Sequence, residues 1–186
     1  YLTAAMFGLS CCGGDGDDSA CLDNQGKLVG ATRLHGSGHT PSALLQDGSG
    51  IVTGTIWEPT VFGEGDGNET ELSPAYGYAI FIARYGADGA LAWAKKIDTN
   101  AEGDGTHSIR GLAAFSDGSF EITGGFGWYG EKTIFGPGEP NETVLHPSNG
   151  IIYAAHYGSD GSLDWAKNLA SGEGLDVAAL SDDSFV

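Results

Sequence analysis

A chain of 186 residues with 40% hydrophobic content is long enough to bury a core and too apolar for a disordered acidic segment. Its formal charge is −17, from 25 Asp and Glu against 8 Lys and Arg. That balance argues against nucleic acid, whose phosphates need clustered cations, and against an anionic membrane surface. With 32 Gly and a single Met, the composition is that of a β-type fold punctuated by turns.

Residues 1–12, YLTAAMFGLSCC, are small or apolar and carry no charge. They are too few to span a bilayer but suit the apolar core of a secretory signal. No initiator Met or basic run precedes them, so they read as the remnant of a leader. Leu9-Ser10-Cys11-Cys12 resembles the lipobox of bacterial lipoproteins, in which a cysteine is lipidated. Ser10 favours Cys11 as the acylated residue and Leu9 favours Cys12, so both stay candidates. The bland alternative is a buried strand with inert cysteines. Residues 13–20, GGDGDDSA, follow at once and suit a flexible acidic tether. Cys21 is then an odd cysteine, and no disulfide framework is implied.

From residue 21 to 186 the chain reads as repeats. YGADGALAWAKKI (85–97) recurs as YGSDGSLDWAKNL (157–169) and, faded, as LDNQGKLVGATRL (22–34). Asp47-Gly48-Ser49 recurs at Asp117-Gly118-Ser119, Phe62 at Phe135, and LAAFSDGSF (112–120) as VAALSDDSF (177–185). The period is about 70 residues, and one supersecondary unit fills each period.

Four strands are expected per period, each bounded by Gly, Asp or Asn turns. They are Leu91–Ile97; Ile109–Phe115; Phe120–Phe126, matched by IVTGTI (51–56); and Tyr78–Tyr85, matched by IIYAAHY (151–157). Each is apolar on both faces, which requires burial between like neighbours. Four short antiparallel strands repeated in this way predict β-propeller blades, about two and a half of them here. Two inserts, Trp57–Gly77 and Gly127–Asn149, interrupt the pattern and share a frame: TVFGEGDGNETEL (60–72) and TIFGPGEPNETVL (133–145). Thr-x-Phe-Gly reads as a short strand and Glu-Thr-x-Leu as its return.

This set of motifs resembles the bacterial seven-bladed β-propeller repeats of secreted and lipid-anchored proteins. The resemblance implies an extracytoplasmic scaffold at the bacterial cell envelope, outer membrane or cell surface, or secreted, with no fixed chemistry. A membrane is then met only through the lipid anchor, and the expected partner is a protein or carbohydrate at the cell surface. Asp88-Gly89-x-Leu91-x-Trp93 is also similar to the tryptophan-docking repeat of quinoprotein propellers. That likeness implies the alternative of a propeller oxidoreductase or hydrolase.

If strand faces are consumed by packing, recognition falls to the inserts. Their aromatics Trp57, Phe62, Trp128, Tyr129 and Phe135 are the candidate binding residues, since rings supply contact area. Asp98, Asn100, Glu102 and Asp104 place oxygen ligands at alternate positions before Gly105, as a calcium loop does. The twelfth position of such a loop is Ile109 where a Glu is needed, so a solvated acidic turn outweighs calcium; no other cofactor is expected. Trp93 and Trp165 read as core between units. Asn68-Glu-Thr and Asn141-Glu-Thr recur at one repeat position, which points to a structural role in the turn. His35 and His39 stand among Gly and Pro that forbid a helix, so no zinc pair is expected. No nucleophile elbow, HExxH or Walker loop is present.

Overall fold

The computed structural model describes residues 10–13, 18–22, 28–33, 41–99, 108–125, 132–146, 151–171 and 178. Among them the fold is all-β and antiparallel, with no helix and no closed ring of sheets. The first three strands are β1 (Ser10–Gly13), β2 (Asp18–Leu22) and β3 (Leu28–Arg33), which form a sheet in that order.

The next strands build two units of like construction. In the first, β4 (Ser42–Leu44), β5 (Gly50–Ile56), β8 (Ala79–Tyr85) and β9 (Leu91–Thr99) pair in sequence, and β6 (Thr60–Phe62) and β7 (Thr70–Leu72) form a hairpin inserted between β5 and β8. In the second, β10 (Ser108–Ala114), β11 (Phe120–Gly125), β14 (Ile151–Tyr157) and β15 (Leu163–Ser171) do the same. Their inserted hairpin is β12 (Thr133–Phe135) and β13 (Thr143–Leu145). The four strands expected per period and the two strands expected per insert are all present, with ends shifted by a residue or two.

One turn chemistry closes four of the hairpins. Leu45 N bonds Ser49 O and Gly48 N bonds Leu45 O; the same pair of bonds recurs at 86–90, 115–119 and 158–162. The fourth residue of each turn is a Gly at φ between 78° and 84°. Only glycine takes that left-handed geometry without cost, which makes these turns a type I turn with a bulge. The Asp before each Gly accepts the N–H two residues on: Asp47 from Ser49, Asp88 from Ala90, Asp117 from Ser119 and Asp160 from Ser162.

Alternation along the strands gives each unit two apolar faces. On the first unit one face carries Ile51, Ile80, Ile82, Ile97 and the half-buried Trp93. It shares a core with Ile109, Phe120, Ile122, Tyr153, Tyr157 and Leu163 of the second unit. Trp93 stacks on Phe120 with ring centroids 5.9 Å apart, and β10 packs on β4 and β5. The opposite face of the first unit holds Ile56, Phe81, Ala83, Leu91 and Ala94, covered by Phe62 and Leu72 of the inserted hairpin. By register those residues correspond to the face of the second unit that meets the first: Gly50 pairs with Tyr85 as Phe120 pairs with Tyr157. The units therefore stack front to back, with the same sense of direction.

Polar bonds fix this stack at its rim. Arg84 donates from Nη2 to Asp47 Oδ2 at 2.8 Å and from Nη1 across the junction to Ser159 O at 2.9 Å. The Trp93 indole N–H donates to the same carbonyl at 3.2 Å. Lys95 Nζ meets Glu139 Oε1 at 2.7 Å. At the other end β12 adds to β9, pairing Thr133 with Thr99 and Ile134 with Asp98, so the second unit's hairpin extends the first unit's sheet.

Candidate functional site

Packing leaves the insert end of the first unit as its most apolar exposed region. Ile56 pairs with Ala79, so Trp57 and Tyr78 leave the sheet side by side. Tyr78 is fully buried, and the Trp57 ring lies 5.1 Å from it at 40° while remaining 45% exposed. Tyr76, on the incoming leg of β8, is 59% exposed, and Val61 on β6 is 46% exposed. Glu58 and Glu71 are exposed beside them in sequence. Lys96 Nζ donates to Ser73 O at 3.0 Å and pairs with Asp98 Oδ2 at 2.9 Å, tying the return leg of the insert to β9. The result is an aromatic rim on a braced root. Its rings offer flat contact area and its carboxylates offer acceptors for hydroxyls or cations.

The tips of the inserts are built differently from that rim. Asp66 Oδ2 accepts the Leu91 N–H at 2.8 Å, and the Asn68 side-chain amide donates to Leu91 O at 3.1 Å. In the second unit Glu139 Oε2 accepts the Leu163 N–H at 2.7 Å and Asn141 donates to Leu163 O at 3.1 Å. Glu69 and Glu142 accept the N–H groups of Gly65 and Gly138 inside their own turns. Each tip is thus clamped on the start of the fourth strand of its own unit. The Asn-Glu-Thr motif serves that clamp, and Asp66, Glu139, Glu69 and Glu142 use their carboxylates on backbone.

The expected binding aromatics therefore separate. Trp57 is on the surface. Phe62 and Phe135 are 1% and 0% exposed and pack on Phe81 and Tyr153 at 4.8 and 5.1 Å between ring centroids, so they hold the hairpin down and present no contact area. Trp128 and Tyr129 lie outside the described residues, as do Asn100, Glu102 and Asp104 of the acidic loop. Asp98, its first residue, is buried and paired with Lys96. Among the described residues no group of three or more His, Cys, Asp or Glu could hold a metal ion. Cys11 and Cys12 fall on β1, where Cys11 stands opposite Cys21 and Cys12 opposite Ala20.

Tyr76 escaped the sequence reading because the insert frame has no aromatic at that place in its second copy. Glu121 escaped it too. It occupies the register position of Ile51, is 0% exposed, and neither carboxylate oxygen has a hydrogen-bond partner among the described residues. Burial drives its pKa up to about 7, against a smaller opposite pull from Lys167. The signal was available: a charged residue stands where the earlier copy has an isoleucine. Asp47, Asp117 and Asp160 shift the other way, held below the usual carboxylate range first by hydrogen bonds from the serine two residues on.

A scan against protein-family models finds no match to this chain, and a search of curated proteins also finds none.

Proposed function

We propose that the chain is part of an extracytoplasmic β-propeller that acts as a binding scaffold for a protein or carbohydrate at a bacterial cell surface. The front-to-back stack of two four-stranded units supports the architecture, since the faces that meet are consumed by packing and recognition is left to the connections. The aromatic rim at the first insert carries the function. Trp57 and Tyr76 are exposed at 45% and 59%, on a root held by Tyr78 and Lys96, where a solvated connection has no need of two large rings. The acidic surface disfavours polyanions, and the flat rings with adjacent carboxylates suit sugar faces or cationic peptide groups. The acylated cysteine of this reading is Cys11 or Cys12, labelled by a tagged fatty acid in the precursor.

The test is binding of the purified protein to a glycan array and to bacterial cells, for wild type and Trp57→Ala with Tyr76→Ala. Loss of a specific signal in a variant with unchanged circular dichroism supports the rim as the site. An unchanged signal removes it. The alternative of a quinoprotein-like propeller rests on the Asp88-Gly89-x-Leu91-x-Trp93 segment, whose indole N–H donates to Ser159 O. Saturable binding of pyrroloquinoline quinone would transfer the proposal to that class.

A further inference from the structure

The first insert gathers acid that its own unit does not neutralise. Between Trp57 and Gly77 it carries Glu58, Glu64, Asp66, Glu69 and Glu71 and no Lys, Arg or His. Two of these are engaged on backbone, Asp66 by the Leu91 N–H and Glu69 by the Gly65 N–H. Glu71 accepts only the Ser73 hydroxyl, at 3.4 Å, and the carboxylates of Glu58 and Glu64 have no partner among the described residues. All three side chains are exposed. The cations of the first unit are engaged elsewhere: Arg84 with Asp47, Lys95 with Glu139 and Lys96 with Asp98. The second insert differs, since Glu139 and Glu142 both accept backbone N–H groups and Lys132 and His146 lie in the same stretch.

The exposed rings fall on the same insert. Of the large apolar side chains that stand exposed among the described residues, only Trp57 and Tyr76 are aromatic. Trp57 packs on the Tyr78 ring and immediately precedes Glu58, and Glu71 stands opposite the exposed Val61 across the hairpin of β6 and β7. A neutral sugar laid on these rings takes water from the neighbouring carboxylates and returns no counter-charge, which costs free energy. An ammonium or guanidinium group answers both features. Its charge is drawn to the face of an indole or phenol ring, and its N–H groups donate to carboxylate oxygens.

We propose that the occupant of the rim is a cationic peptide segment of a partner protein. Its Arg or Lys side chains lie on Trp57 and Tyr76 and pair with Glu58 and Glu71. This rests on the rim being the binding site and adds the class of its ligand. A partner of this kind is steered in by the charge of the insert and held by the rings, so binding needs both and weakens with salt.

Fluorescence anisotropy of a labelled, end-capped peptide of alternating Arg and Gly, titrated with the full chain, tests the proposal against a peptide of equal length with Gln in place of Arg. The Arg peptide should bind at least about tenfold more tightly, and its affinity should fall several-fold between about 50 and about 300 mM NaCl. Trp57→Ala with Tyr76→Ala keeps the protein's charge and should weaken the Arg peptide at least about tenfold. Glu58→Gln with Glu71→Gln should weaken it several-fold and flatten the salt dependence, with circular dichroism unchanged in both variants. A glycan-array signal that needs Trp57 and Tyr76, with no preference for the Arg peptide, keeps the rim and overturns the cationic ligand. Arg-peptide binding that survives the ring variant is diffuse attraction to a chain of charge −17 and also overturns it. If neither probe responds to the ring variant, the rim itself is removed and the proposal falls with it.

Discussion

Glu121 gives the chain a stability that falls as the pH rises, and a single substitution should remove that slope. The carboxyl group has a pKa of about 7 in the folded protein and an ordinary value of 4.5 when exposed. Between those values the folded protein holds a proton that the unfolded chain has released. Stability is therefore highest below about pH 4.5, declines through the window and has lost the full amount above about 7. At about 1.4 kcal/mol per decade of proton affinity the loss comes to ~3 kcal/mol, an upper figure because water reaching the outer face of the second unit relieves part of it. The assay is urea unfolding of wild type and Glu121→Gln at several pH values from 5 to 8. Wild type should lose a few kcal/mol relative to the variant across the series. Glu121→Ile, which restores the residue found at the equivalent position 51, should be more stable than either above pH 7, since it removes the buried charge and fills the space with carbon. Parallel curves for wild type and Glu121→Gln would show that Glu121 is hydrated in the folded protein and that its burial has been misjudged.

Three further perturbations follow from the geometry. Gly161 lies at φ 78° with a Cβ position 2.9 Å from the Trp93 ring, so Gly161→Ala combines a left-handed strain with a displaced indole and should cost ~2 kcal/mol or more in chemical unfolding, with a shift in tryptophan emission. Asn141→Ala removes the bond to Leu163 O and should destabilise by ~1 kcal/mol, with faster amide exchange in β12 and β13 than in β14; equal exchange would show that the clamp does not hold the tip. Asp47, Asp117 and Asp160 are held below the ordinary carboxylate range, so the stability they lend is present at neutral pH and lost as the pH falls through their lowered values. Ser119→Ala should shift the acid-unfolding midpoint upward nearly as far as Asp117→Asn; a much smaller shift would show that the serine bond is not the main cause.

Much of the fold was legible because it is written in local chemistry. Asp-Gly before an apolar run dictates a left-handed glycine and an aspartate that caps its own turn, and four such turns close four hairpins. The inserts' Thr-x-Phe-Gly and Glu-Thr-x-Leu frames gave the right strands for a similar reason. Their function was less legible. Phe62 and Phe135 look like display residues in a long loop, yet the loop folds back and buries both, which depends on Phe81 and Tyr153 in another strand. The role of the acidic tips is equally non-local, since the partner of Asp66 is a backbone N–H 25 residues away in sequence. Trp93 was readable as a junction residue because its neighbours are alanines, while the carbonyl it bonds, Ser159 O, was not. The direction of stacking emerges only from comparing which face of each unit is buried.

That direction is the central claim, and the coupling between Trp93 and Phe120 tests it most directly. Their rings stack across the junction at 5.9 Å and 18°, and the two residues belong to different units. A double-mutant cycle of Trp93→Leu and Phe120→Leu, read by equilibrium unfolding, should give a coupling energy of about 0.5–1.5 kcal/mol. Additive effects, with no coupling beyond experimental error, would contradict the front-to-back stack.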